Sequence, residues 1–262
     1  MTEHMEQELS AFTAAILEDG IIDAAEVAKI RERVYADGIV DREEADFLFA
    51  LNDATSGADN DASWQALFVE ALSDHVLKDE ISPGTIDDDE AAYLRSKIEA
   101  DEVVDANELA LLVSIAATGK GAPDAFNAFT LASLKAAVLE DGIIDEAEVE
   151  MIRKVIYGTG GAGGAAVDRV EADFLFELSD ATSGKGNHPS WKALFVEALT
   201  AHVLEDEISP GEIDKDEAEY LIAKVEADGV IDENEKALLQ NIKARATSVA
   251  DNLKFKFDLF QI

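Results

Sequence analysis

The chain contains no cysteine. Disulfide bonds, thiolate metal sites and cysteine nucleophiles are therefore all excluded. It has no apolar run long enough to cross a bilayer. Its first ten residues, MTEHMEQELS, are polar and acidic, without a basic n-region or an apolar h-region. No secretory signal is expected, and the expectation is a soluble, cytoplasmic protein. Basic residues are scarce, 21 against 57 acidic, for a formal charge of −36. That charge repels phosphate, so nucleic acid is not expected as a direct ligand. It favours cations, basic protein surfaces or high-salt surroundings, and it also serves solubility. Catalytic signatures are missing as well. There is no Gly-x-Ser-x-Gly elbow. The Gly-rich stretch GTGGAGG at 158–164 lacks the Gly-Lys-Ser/Thr of a phosphate loop, and no dinucleotide fingerprint follows a strand. An enzyme is not expected.

What is present, eight times over, is one short phrase. Its cleanest copy is ADGVIDENE, residues 227–235. Gly just past an apolar-periodic run is a helix stop, because it takes the left-handed conformation without a Cβ penalty. Asp followed three residues later by Glu is a capping box: each carboxylate accepts from the other residue's backbone N–H. Both negative charges also favour the positive end of the new helix. The phrase is thus a corner: helix stop, two apolar residues that plug the bend, helix start. The pairs are Asp23/Glu26, Asp41/Glu44, Asp87/Glu90, Asp105/Glu108, Asp145/Glu148, Asp168/Glu171, Asp214/Glu217 and Asp232/Glu235. The Gly is replaced by Glu102 in the fourth corner, and the sixth corner is stretched into GTGGAGGAAVD.

The corners belong to an internal duplication. EDGIIDAAEV at 18–27 returns as EDGIIDEAEV at 140–149, an offset of 122. SWQALFVEALSDHVLKDEISPGTID at 63–87 returns as SWKALFVEALTAHVLEDEISPGEID at 190–214, an offset of 127. The extra five residues are the Gly-rich insertion. Between corners, apolar residues recur at helical spacing. Examples are Val27, Ile30 and Val34, then Ala45, Leu48 and Leu51, then Trp64, Leu67, Phe68, Ala71 and Leu72. The two tryptophans, Trp64 and Trp191, open matched helices and are expected to plug each core. The expected fold is all-α, two tandem pseudo-repeated helical bundles of six helices each, with no strand inside either repeat. The first covers 1–118 and the second 124–247, with the breaker-rich 119–123 as linker.

The end departs from this pattern. In NLKFKFDLFQI, 252–262, apolar and polar residues alternate. Period two with Phe and Leu predicts an extended C-terminal tail over 248–262. Either it lies along its own helices, or it docks on a protein partner or a second subunit by strand addition through Phe255, Phe257, Leu259, Phe260 and Ile262.

The corner also resembles the second half of an EF-hand loop. With Glu235 at the twelfth loop position, Asp232, Gly229 and Asp228 fall at nine, six and five. The places that need oxygen ligands, one and three, hold Lys224 and Glu226, and they belong to the preceding helix rather than to a loop. The nearest copies, DEISPGTIDDDE and DEISPGEIDKDE, supply three carboxylates each, short of the six to eight oxygens calcium takes. Two corners could pool carboxylates around one ion, since a cation would relieve their repulsion. His75 and His202 each stand four residues before an acid, Asp79 and Asp206, which places the two groups on one helical face as an ion pair or a weak metal pair.

The phrases Asp19-Gly20-Ile21-Ile22-Asp23 with Glu26 and Asp37-Gly38-Ile39-Val40-Asp41 with Glu44 resemble the corners of the TerB-like (tellurite-resistance B) family of small helical domains. Asp141-Gly142 through Asp145 and Glu148, and Asp228-Gly229 through Asp232 and Glu235, match equally. The resemblance covers most of the chain, once per half. It implies an acidic, non-enzymatic protein linked to metal stress, membrane-associated complexes or phage defence. It also implies that the acids of these four corners face a cation, Ca2+ or another divalent ion. The expected function is a non-enzymatic acidic scaffold or adaptor, responsive to divalent cations, with the tail as a docking arm. The alternatives are a calcium-binding protein with EF-hand-like corners, and a DNA mimic that occupies a basic groove.

Overall fold

The computed structural model describes residues 10–100, 103–158, 167–205, 210–227 and 229–262. Among them the chain is all-α, with thirteen helices and a single pair of two-residue strands. Contacts divide it into two units, Met1–Phe126 and Asn127–Ile262.

In the first unit, α1 (10–16) is followed by α2 (Ala24–Val34), α3 (Arg42–Ala54), α4 (Ala62–Leu77), α5 (Asp88–Ile98) and α6 (Ala106–Thr118). The middle of the bundle is α4, which packs against α2, α3 and α6. Its sequence explains that position: apolar residues cover most of the helix and leave only a narrow face, with Gln65 and Glu70, to water. Trp64, Leu67, Phe68, Ala71, Leu72 and Val76 are all buried. The Phe49 ring meets Phe68 edge-on at 5.4 Å and Tyr93 at 6.1 Å, the arrangement that aromatic quadrupoles favour. After α6 the chain bonds back to the third corner, with the Lys120 N–H donating to Gly84 O at 2.6 Å and the Ile86 N–H to Gly121 O at 2.9 Å. Residues 119–123, expected as a linker, are tied into the first unit in this way.

Helix α7 (Asp124–Val138) begins in the last residues of the first unit and continues into the second. There follow α8 (Glu146–Tyr157), α9 (Arg169–Thr182), α10 (Pro189–Leu204), α11 (Lys215–Val225), α12 (Glu233–Arg245) and α13 (Asp251–Phe260). The central helix is α10, packed against α8, α9 and α12. Strand β1 (Glu212–Ile213) pairs in parallel with β2 (Ser248–Val249), in the register Glu212 to Ser248 and Ile213 to Val249. This short ladder occupies the place of the Gly84–Lys120 bonds in the first unit. No strand was expected inside a repeat. A two-residue bridge is too short to leave a period-two signature.

The extended tail is a correction. Residues 251–260 form α13, not a strand. Apolar residues at 253, 255, 257 and 259 satisfy a helix as well as a strand, because i and i+4 share a helical face. Leu253 and Phe257 make one such pair and are buried, and α13 packs on α11. A helix satisfies its own backbone groups, whereas a lone strand leaves an edge unpaired. The helix closes with Gln261 in the left-handed region at φ 58°, and the Ile262 N–H donates to Phe257 O at 2.9 Å, a left-handed C-terminal turn.

Candidate functional site

The sequence placed its candidate metal ligands at the corners. There the carboxylates bond to backbone N–H groups. Asp23 accepts from the Glu26 N–H at 2.8 Å, and Glu26 accepts from the Asp23 N–H at 3.0 Å. Asp145 and Glu148 exchange the same two bonds, both at 2.8 Å. Asp41 accepts from the Glu43 and Glu44 N–H groups, and Asp232 from those of Asn234 and Glu235. All eight Asp/Glu pairs form complete capping boxes. Asp19, Asp37 and Asp141 each accept from the N–H two residues on, at 3.2, 3.0 and 2.9 Å. Asp228 lies outside the described residues, as does Asp206. Among the described residues, no three or more His, Cys, Asp or Glu side chains come together in a group that could hold a metal ion.

The corner plug is made by one apolar residue, not by both. Ile22, Val40 and Ile144 are buried, while the preceding Ile39 is 68% exposed. Ile22 is clamped by the loop between α3 and α4, and Ile144 by the loop between α9 and α10. The Ile22 N–H donates to Asn60 Oδ1 at 2.8 Å, and the Asp61 N–H to Ile22 O at 2.9 Å. Asn187, His188 and Ile144 repeat this pattern at 2.9 and 2.7 Å.

Burial pushes Glu44 up to about 7, and its bond with Asp41 pushes further in the same direction. That bond also holds Asp41 below its ordinary value. Burial alone dominates at Glu171, likewise raised to about 7. His75 does not take the acid partner expected of it, Asp79, and the partner expected of His202, Asp206, lies outside the described residues. His75 Nδ1–H donates to Val40 O at 2.8 Å and His202 Nδ1–H to Val167 O at 2.7 Å. Their rings stand edge-on to Tyr93 and Tyr220. One recurrent cluster went unread in the sequence. Arg42 lies 3.3 Å over the Tyr93 ring, the Tyr93 hydroxyl donates to Asp46, and Lys97 pairs with Asp46 at 2.9 Å. Arg169, Tyr220, Asp173 and Lys224 repeat it. The signal was available as an Arg–Asp pair at i, i+4 returning at the same offset of 127.

Two surface features stand apart from the corners. The first is the outward face of α13. Phe255 is 66% and Leu259 59% exposed, one turn apart. Of the other expected docking residues, Phe260 and Ile262 are half-buried and Phe257 is buried in its own unit.

The second is a pocket that occurs once in each unit at matched residues. In the first unit it has a volume of about 300 Å³ and lies between the loop after α3 and the start of α6, with Trp64 and Asp105 in its wall. In the second unit it has a volume of about 430 Å³ and lies between the loop after α9 and the start of α12, with Trp191 and Asp232 in its wall. Ser56 and Ser183 each donate to the corner Asp, at 3.2 and 2.9 Å. Trp64 and Trp191 are each 1% exposed, and neither indole N–H has a hydrogen-bond partner.

No protein-family model, no curated protein and no solved structure matches the chain.

Proposed function

We propose that the chain is a non-enzymatic acidic adaptor of the TerB-like type that its corner phrases resemble, and that it docks a protein partner through helix α13. The observation that carries this reading is the outward pair Phe255 and Leu259, an i, i+4 apolar anchor on a helix face otherwise exposing Asp251, Lys254 and Asp258. Helix-in-groove recognition uses such anchors. A second copy would set one charge of −36 against another, so the partner is a protein whose apolar groove is rimmed by Lys and Arg. The carboxylate pairs serve the corners first, and any response to divalent cations is secondary to that role. The absence of a nucleophile–base constellation from the sequence motifs is in keeping with binding rather than turnover.

The test is an affinity capture with the wild-type chain and with Phe255→Ser/Leu259→Ser, which leaves the buried Leu253 and Phe257 untouched. The reading expects a basic protein recovered by the wild type, released by high salt and lost in the variant, with the two chains melting together. Equal recovery by both chains would overturn it.

A further inference from the structure

The duplicated pocket has diverged between the units, and the divergence is electrostatic. Where the first unit has Ala58 and Gln65, the second has Lys185 and Lys192, and Lys236 joins them from α12. Three lysines therefore contribute to the wall of one pocket in a chain with only 21 basic residues, with the Lys185 ammonium resting beside Gly142. Among the described residues, none of the three forms an ion pair within 4.0 Å. The opposing carboxylates in the wall are Asp232 and Glu233. Asp232 is already engaged by two backbone N–H groups and the Ser183 hydroxyl. The third ingredient is the indole N–H of Trp191. It belongs to a buried side chain in the pocket wall and lacks an acceptor. Buried donors without acceptors are rare in folded proteins because each is costly.

We propose that the pocket of the second unit is a binding site for a small molecule bearing an oxyanion, a phosphate or a carboxylate. Lys185, Lys192 and Lys236 supply the charge, and Trp191 supplies a donor that the protein leaves unused. Its volume falls within the range of small-molecule sites. The pocket of the first unit, with Asp61 and Asp105 and no lysine in its wall, does not bind such a ligand and serves as an internal control. This site is separate from the docking face of α13 and stands or falls without it.

The chain has two tryptophans, so Trp64→Phe leaves Trp191 as the only indole. Titrating that variant with inorganic phosphate and with citrate, against chloride at matched ionic strength, distinguishes the two sources of the oxyanion. The expected result is a saturable change in Trp191 emission with one or both probes. Binding should weaken at least tenfold in Lys185→Ala/Lys192→Gln, which installs the residues of the first unit. The Trp191→Phe chain, reporting through Trp64, should not respond. Because Trp64 lies in a core, the same ligands are also tested on the tryptophan-intact chain by thermal melting, where the lysine double variant should lose the stabilisation. No saturable response beyond chloride, or an undiminished response in the lysine double variant, would overturn the assignment.

Discussion

Asp168 and Glu171 are joined by two reciprocal bonds: the Glu171 N–H donates to the Asp168 carboxylate at 2.8 Å, and the Asp168 N–H donates to the Glu171 carboxylate at 2.9 Å. Glu171 is 5% exposed, and burial raises it from the model-compound value of 4.5 to about 7. The fold thus prefers the protonated acid. That preference is fully present below pH 4.5 and is lost as pH rises through 7, a change of roughly 3 kcal/mol at most. Glu171→Gln keeps the cap acceptor and removes the titration. Its melting temperature should match wild type near pH 4.5 and exceed it by several degrees at pH 8. Parallel melting curves across that range would refute the assignment.

Caps differ in cost according to what else they hold. Asp23 caps one helix, whereas Asp105 also accepts from the Asn52 side chain at 2.7 Å and the Ser56 hydroxyl at 3.2 Å. Asn52 is buried. Urea unfolding should show a loss of about 1 kcal/mol for Asp23→Ala. Asp105→Ala should lose about 2–4 kcal/mol, because it strands a buried amide as well as a helix end.

Gly38 sits at φ +86° with open space where a Cβ would project. Gly38→Ala should therefore cost about 1–2 kcal/mol through backbone conformation alone. Gly186 has equally open surroundings without the positive φ, and Gly186→Ala should be neutral or stabilising by up to about 1 kcal/mol. Equal effects at the two positions would contradict the helix-stop role of the corner glycine.

Helix α13 has one face for its own unit and one for solvent. Phe257→Ala should destabilise by about 3–5 kcal/mol in urea. Phe255→Ala should shift stability by less than about 0.5 kcal/mol. A large loss from Phe255→Ala would place that ring in the core and remove the docking face.

Calcium at constant ionic strength should raise the melting temperature no more than sodium does, because the corner carboxylates already accept backbone N–H bonds. A saturable calcium-specific rise would show that ions displace those bonds.

The all-α class and the eight capped corners were legible in the amino-acid sequence because their causes are local. A capping box closes within four residues, and a left-handed glycine needs no distant partner. The core residues of α3 and α4 were legible for the same reason: helical periodicity states which face is apolar. Periodicity failed at α13. Leu253, Phe255, Phe257 and Leu259 form two equivalent i, i+4 pairs, and only packing against α11 decided that Leu253 and Phe257 go inward. Likewise, nothing within the corner phrase separates Ile21 from Ile22. The bond from the Ile22 N–H to Asn60, 38 residues away, holds the second in place. The pocket beside Trp191 needed the tertiary structure altogether, since Lys185, Lys192 and Lys236 lie on three different elements. The sequence by itself determined where the eight helices with capping boxes start. The tertiary structure decided which apolar and charged side chains face one another, because those choices rest on contacts between segments that the local pattern leaves equivalent.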